Sequence, residues 1–177
     1  MRFFVCGGVD TDMKKEYTQG IKELAKELVK QNHSIILVGA KTGAIGEIYN
    51  TYTKLGGVVD LMVPECYASD AYNMTGRSII NVPNLYVMQQ IGLKNSDATI
   101  ILPGGNGTLA EMYMCADNNK AGFDTDPIYV FNINGYYNLV KEMHDFMIDA
   151  GTMKPFQHKY LTFCDTYKEI LKHISKQ

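Results

Sequence analysis

The run Ala98-Thr-Ile-Ile-Leu102 followed by Pro103-Gly-Gly-Asn-Gly-Thr-Leu-Ala-Glu111 limits most tightly how this chain can fold. Five apolar and β-branched residues are too few for a helix and suit a buried strand. The glycines that follow put a strand-to-helix turn at its end. Gly104, Gly105 and Gly107 let backbone come close to a ligand, with Asn106 among them, and the first amides of the helix have no acceptor within it. Such a turn is an anion site by geometry. Thr108 can add a hydroxyl donor. Glu111, one turn along the same face, brings a carboxylate to the sugar of any ligand whose phosphate rests on those amides. A lone Gly-x-Gly-Thr is most often only a helix-capping turn; the nine residues together are far more specific.

The same unit recurs along the chain. Arg2 to Cys6 reads as a strand that empties into Gly7-Gly8, and Asp10-Thr-Asp12 suits the cap of a helix running to about Asn32. Tyr17, Ile21, Leu24, Ala25, Leu28 and Val29 form its apolar stripe. Ser34 to Gly39 is a second strand, ending in a further glycine-rich turn at Gly39, Gly43 and Gly46, before a helix with Ile45, Ile48, Tyr49 and Tyr52 inward. Three glycines after a strand often mean only tight packing, and Lys41 between them reads as a solvated lysine that can reach a phosphate. Val58 to Pro64 is the third strand. Glu65 to Asn81 reads as an irregular segment with Tyr67, Tyr72, Asn73 and Arg77, long enough to cover a ligand.

Asn84 caps a helix from Leu85 to about Asn95, with Leu85, Met88 and Ile91 read as core. After the glycine-rich helix, whose Leu109, Met112, Tyr113 and Ala116 face inward, Pro127 to Asn132 makes a fifth strand. The next helix turns Val140, Met143, Phe146 and Met147 inward; Tyr160 to Cys164 and Asp165 to Ser175 close the chain as strand and helix. Strands alternating with amphipathic helices imply an α/β, Rossmann-like doubly wound and mainly parallel sheet flanked by helices. A ligand then sits at the carboxyl ends of strands near the switch point, where Gly7-Gly8 and Pro103-Gly104-Gly105 meet. Gly7-Gly8-Val-Asp is not the Gly-x-Gly-x-x-Gly of dinucleotide dehydrogenases.

Composition excludes other classes. With 177 residues, 46% hydrophobic, the chain (1–177) is the size of one domain. A net charge of -2 and a pI near 6.1 leave no basic footprint for a nucleic-acid polymer. No apolar run is long enough to cross a membrane. Cys6, Cys66, Cys115 and Cys164 are scattered without zinc or disulfide spacing, which points to a reducing cytoplasm and to no metal.

Pro103 to Glu111 resembles the Pro-Gly-Gly-x-Gly-Thr-x-x-Glu signature of the lysine decarboxylase-like family. Its characterised members are similar to the plant LOG proteins, cytokinin riboside 5'-monophosphate phosphoribohydrolases. Gly39, Gly43 and Gly46 resemble the family's Gly-Gly-x-x-Gly-Leu-Met-Gly, and Asn132-Ile-Asn-Gly-Tyr-Tyr-Asn138 its Asn-x-x-Gly-Tyr-Tyr-Asn. Met88 and Gln89 stand where the family's Met-His-x-Arg-Lys has its arginine and lysine. The resemblance implies a cofactor-free hydrolysis of a purine nucleoside 5'-monophosphate, N6-modified forms included, with Glu111 catalytic, and a homodimer. A glutamate in the first turn of a helix is held ionised by the helix dipole unless burial outweighs it, which suits a base. The proton donor to the leaving base is open, with Arg77, Lys94 and Lys120 as candidates. Amino-acid decarboxylation needs an electron sink such as pyridoxal phosphate, and no lysine stands in the setting of its Schiff base. The alternative is a nucleotide-binding protein that has lost catalysis, resembling the SLOG sensors or molybdenum cofactor carriers.

Overall fold

A computed structural model of the chain describes residues 1–10, 13–124 and 126–177. Strands β1 (Arg2–Cys6), β2 (Ser34–Val38), β3 (Val58–Pro64), β4 (Ser78–Val82), β5 (Ala98–Ile101), β6 (Ile128–Phe131) and β7 (Thr162–Cys164) form one seven-stranded sheet, ordered β4-β3-β2-β1-β5-β6-β7. Every pairing is parallel. Helices α1 (Lys15–Lys30), α2 (Gly43–Lys54), α3 (Leu85–Lys94), α4 (Asn106–Ala121), α5 (Asn138–Asp149) and α6 (Tyr167–Ile174) make the crossovers and the end.

The central strands are apolar because both of their faces are covered: Phe3, Phe4, Ile35, Ile36 and Leu37 are buried throughout. Helix α1 packs on α2 and α6, while α3 lies on β2, β3 and β4, and α4 on β1. Strand order reverses between β1 and β5, whose register pairs Phe3 with Ala98 and Cys6 with Ile101. No helix among the described residues is long and apolar enough to cross a membrane.

Three expectations are corrected. Residues 65–81 are not irregular throughout: the short helical turn Glu65–Tyr67 is followed by strand β4. As an edge strand paired only with β3, β4 leaves Ile79 53% exposed, so it lacks the apolar run of a central strand. Helix α1 begins at Lys15 with no side-chain cap, and Thr11 and Asp12 lie outside the described residues. The preceding chain is instead tied to its neighbours: the Gly8 amide donates to the Pro103 carbonyl, and the Ile45 amide to that of Gly8. On α5, Met143 and Phe146 face solvent while His144 is buried. The reason is polar: the His144 ring is hydrogen-bonded to the Tyr113 hydroxyl of α4 at 3.0 Å, which makes a histidine the inward residue.

At the amino-terminal end of the sheet, Asp60 is 1% exposed and saturated. Arg2 contacts its carboxylate at 2.8 Å, and Ser78 donates at 2.6 Å. Arg77 donates to both carboxylate oxygens, one of them at 3.0 Å. Burial pushes the Asp60 pKa up, but its donors and cations outweigh that and leave it lowered.

Candidate active site

The opposite end of the sheet is open. Here β1 and β5 run into two glycine turns that touch, with the Leu102 amide on the Cys6 carbonyl at 2.8 Å and the Gly8 amide on the Pro103 carbonyl at 3.0 Å. The carbonyls of the second turn are held away from the helix that follows. The Tyr137 hydroxyl donates to Leu102 at 2.6 Å and the Tyr136 hydroxyl to Gly104 at 3.0 Å. Only glycine fits at 104, since a Cβ there would lie 2.1 Å from the Thr108 hydroxyl oxygen and 2.5 Å from the Gly8 nitrogen.

Helix α4 makes its first backbone bond from Leu109 to the Gly105 carbonyl, 3.0 Å. Among the described residues, the amides of Asn106, Gly107 and Thr108 have no backbone acceptor. They border a cavity of about 540 Å³, with Gly7, Gly8 and Gly105 on its wall. An anion placed there would meet free donors and the positive end of a helix.

Glu111 lines the same cavity, and lies in the second turn of α4 rather than the first. Burial raises its pKa from 4.5 to about 7, partly offset by a hydrogen bond from the Cys6 thiol. Burial thus outweighs the dipole, and the expectation of a fully ionised carboxylate is corrected. No Lys or Arg lines this cavity among the described residues, so nothing cationic pulls the value back. A carboxyl group poised near neutrality can take a proton from water, or give one, at working pH.

Met88 and Gln89 also reach the cavity from α3, though Met88 is 1% and Gln89 3% exposed. The Gln89 amide donates to the backbone carbonyl of Glu111 at 2.8 Å and to the Cys115 sulfur at 3.7 Å, which fastens α3 to the helix that carries the carboxylate. Leu85, expected in the core, is 44% exposed and lines the cavity instead. Gly104 borders an adjoining cavity of about 440 Å³ together with Lys14 and Gly105.

Gly39, Gly43 and Gly46 do not line the Glu111 cavity. Their smallness serves packing: Gly43 has φ +65°, and a Cβ on it would lie 2.4 Å from the Gly8 carbonyl oxygen. The residues between them, Ala40, Lys41 and Thr42, border a neighbouring cavity of about 750 Å³ that Asp10 and Tyr67 share with the first. The Lys41 ammonium is taken up by the Tyr72 carbonyl. The three proton-donor candidates lie elsewhere. Arg77 pairs with Asp60, Lys120 with Asp117 at 3.5 Å, and Lys94 ends α3 at the far end of its crossover.

Cys6, Asp10, Tyr86 and Met114 join the site without having been singled out for it, and Tyr67 comes to it from the segment read as long enough to cover a ligand. Cys6 carried one signal, its place directly before Gly7-Gly8. Among the described residues no group of three or more His, Cys, Asp or Glu is placed to hold a metal.

The family described as "Possible lysine decarboxylase" matches residues 39–174. A cytokinin riboside 5'-monophosphate phosphoribohydrolase of Arabidopsis thaliana, LOG5, is 26% identical over 176 residues, covering 98% of this chain and 76% of that protein. A probable enzyme of the same name from Oryza sativa subsp. japonica, LOGL6, is 28% identical over 176 residues, 98% of this chain and 70% of its own. In fold, the chain is similar to the molybdenum cofactor binding protein of Rippkaea orientalis, with TM-score 0.72, 12% identity, and 99% and 95% of the two chains covered. The molybdenum cofactor carrier protein of Chlamydomonas reinhardtii is similar with TM-score 0.71, 16% identity and 99% and 96% covered.

Proposed function

We propose, from the premise that this chain belongs to the "Possible lysine decarboxylase" family, which includes the LOG phosphoribohydrolases, that it hydrolyses the N-glycosidic bond of a purine nucleoside 5'-monophosphate. The products are free base and ribose 5-phosphate, and the base is adenine or an N6-modified form of it. The observation that carries this reading is the carboxyl group of Glu111, with pKa about 7, in one cavity with the three free amides of α4.

In this reading the phosphate sits on the amides of Asn106, Gly107 and Thr108, and the ribose lies over Glu111. As the C1'–N bond lengthens, the sugar becomes cationic and an ionised Glu111 stabilises it. The same carboxylate takes a proton from the attacking water, as glycosidase carboxylates do. Amino-acid decarboxylation finds no support, because among the described residues no lysine lines the cavity to hold a carbonyl cofactor.

Chromatography of free base released from AMP and from N6-modified AMP tests the proposal. Release by the wild type that persists undiminished in Glu111→Gln would refute the role given to the carboxylate. A second reading, a nucleotide binder without turnover, is favoured by the absence of Lys and Arg from the cavity lining among the described residues. Calorimetry separates the two: tight AMP binding with no product on prolonged incubation is the binder. We propose a homodimer on the strength of the family, and light scattering showing a monomer at micromolar concentration would overturn it.

A further inference from the structure

The reaction needs a partner for the departing base. When the C1'–N bond breaks, its electron pair goes to the base nitrogen, and an unprotonated purine is a poor leaving group. Few donors face the Glu111 cavity. Asn106 and Thr108 stand at the phosphate end, in the first turn of α4. Gln89 has given its amide to the Glu111 carbonyl. Tyr86 is 74% exposed at the mouth.

Tyr67 differs from all of these. It closes the helical turn Glu65–Tyr67 beyond β3, at the carboxyl end of the sheet, and its carbonyl accepts from the amides of Asp70 and Ala71, each at 3.1 Å. Its ring is half-buried and packs against the core. It lines the cavity with Glu111, and its phenol lies within electrostatic reach of both Glu111 and Asp10. Among the described residues, burial and nearby acidic groups, with no hydrogen bond, set the character of its phenol. A ring packed on the core, whose residue shares the cavity with Glu111, is placed to meet the nucleobase.

Resting on the phosphoribohydrolase reading, we propose that Tyr67 is the catalytic residue that donates the hydrogen bond, and then the proton, to the leaving base. Water's oxygen bonds C1' while its proton goes to Glu111. The C1'–N bond breaks, and the base nitrogen takes the Tyr67 proton. The proton on Glu111 returns to the phenolate through solvent, so water and nucleotide give base and ribose 5-phosphate in balance. Burial first, and then the neighbouring acidic groups, raise the phenol pKa, which keeps the donor protonated across the working range.

The test compares two substrates, AMP and 4-nitrophenyl ribofuranoside 5-phosphate, whose nitrophenolate leaves as a stable anion without a proton. Tyr67→Phe, which keeps the ring, should lower kcat on AMP about 100-fold with KM nearly unchanged, and should turn over the nitrophenyl substrate at the wild-type rate. Glu111→Gln should be slow on both. An equal loss on both substrates, or no loss on AMP, overturns the role of Tyr67 and leaves the hydrolase reading standing. A wild type inert on both overturns the hydrolase reading itself, and this assignment with it.

Discussion

Two carboxylates are drawn out of water at opposite ends of the same sheet, and they are treated in opposite ways. Asp60, at the amino ends of the strands, accepts from Arg77 and Ser78 and pairs with Arg2, and its pKa is lowered. Glu111, at the carboxyl ends, has a thiol for a neighbour and, among the described residues, no Lys or Arg in its cavity lining, and burial takes it to about 7. A buried charge that is fully paired holds strands together; one left unpaired beside free amides is chemically ready. The fold supplies both from the same residue chemistry, and only the neighbours differ.

The sharpest way to break this contrast is to remove each carboxylate in turn. Glu111→Gln should lower kcat about 1,000-fold while AMP binding in calorimetry holds or tightens, because a charge near an anionic ligand is lost. Asp60→Ala should instead leave activity per folded molecule intact and destabilise the protein by about 2 to 4 kcal/mol in urea unfolding, since Arg2 and Arg77 lose their common partner. The lower end applies because the Arg77 side chain is 55% exposed and water screens it. An Asp60→Ala protein of full stability would show that the cluster is not structural.

Titration distinguishes the two by sign. The folded pKa of Glu111, about 7, lies above its ordinary 4.5, so between these values the unfolded chain loses its proton first and stability falls as pH rises. Asp60 is lowered, so its contribution is present above the ordinary aspartate value of 3.8 and is lost as pH falls through its folded value. Glu111→Gln should therefore be more stable than the wild type at pH 8, by about 2 kcal/mol once partial exposure is allowed for, and the gap should close on the acid side of pH 4.5. Urea midpoints across the pH range measure this; a gap that does not change with pH would mean that Glu111 is not raised.

Much of this was legible in the sequence, and the limits have physical causes. The strand-to-helix turn at 103–111 and the parallel alternation stand as read, because central strands and glycine turns are written in local composition. Strand β4 was hidden because an edge strand exposes Ile79, follows Arg77 directly and carries Asn81 within it. Whether burial outweighs the dipole at Glu111 was not legible, because the neighbours it meets, Cys6 of β1 and Gln89 of α3, are distant in sequence. Gln89 read as a lost lysine, yet it clamps α3 to the backbone of Glu111, a bond that no spacing rule displays. Tyr67 sat in a segment that offered no register to place it.

The last prediction makes Glu111 resemble Asp60. Met88 stands where the family pattern has an arginine, and its side chain is 1% exposed while bordering the Glu111 cavity. In Met88→Arg the guanidinium is expected in the cavity that Met88 borders, since leaving a charge in the apolar core is costly. There it faces Glu111 and favours the ionised carboxylate, as Arg77 and Arg2 do for Asp60. Overpacking at a buried position costs about 1 to 2 kcal/mol of stability, a change that urea unfolding registers separately. The acid limb of kcat/KM for AMP should move from near pH 7 down by about one unit, which raises the ionised fraction, and so the rate at pH 6, about fivefold. A rise at pH 6 with no gain at pH 8 would identify ionisation of Glu111 as what the arginine governs. An acid limb that stays near pH 7 in a folded Met88→Arg protein would mean that the two ends of the sheet differ by more than their cations.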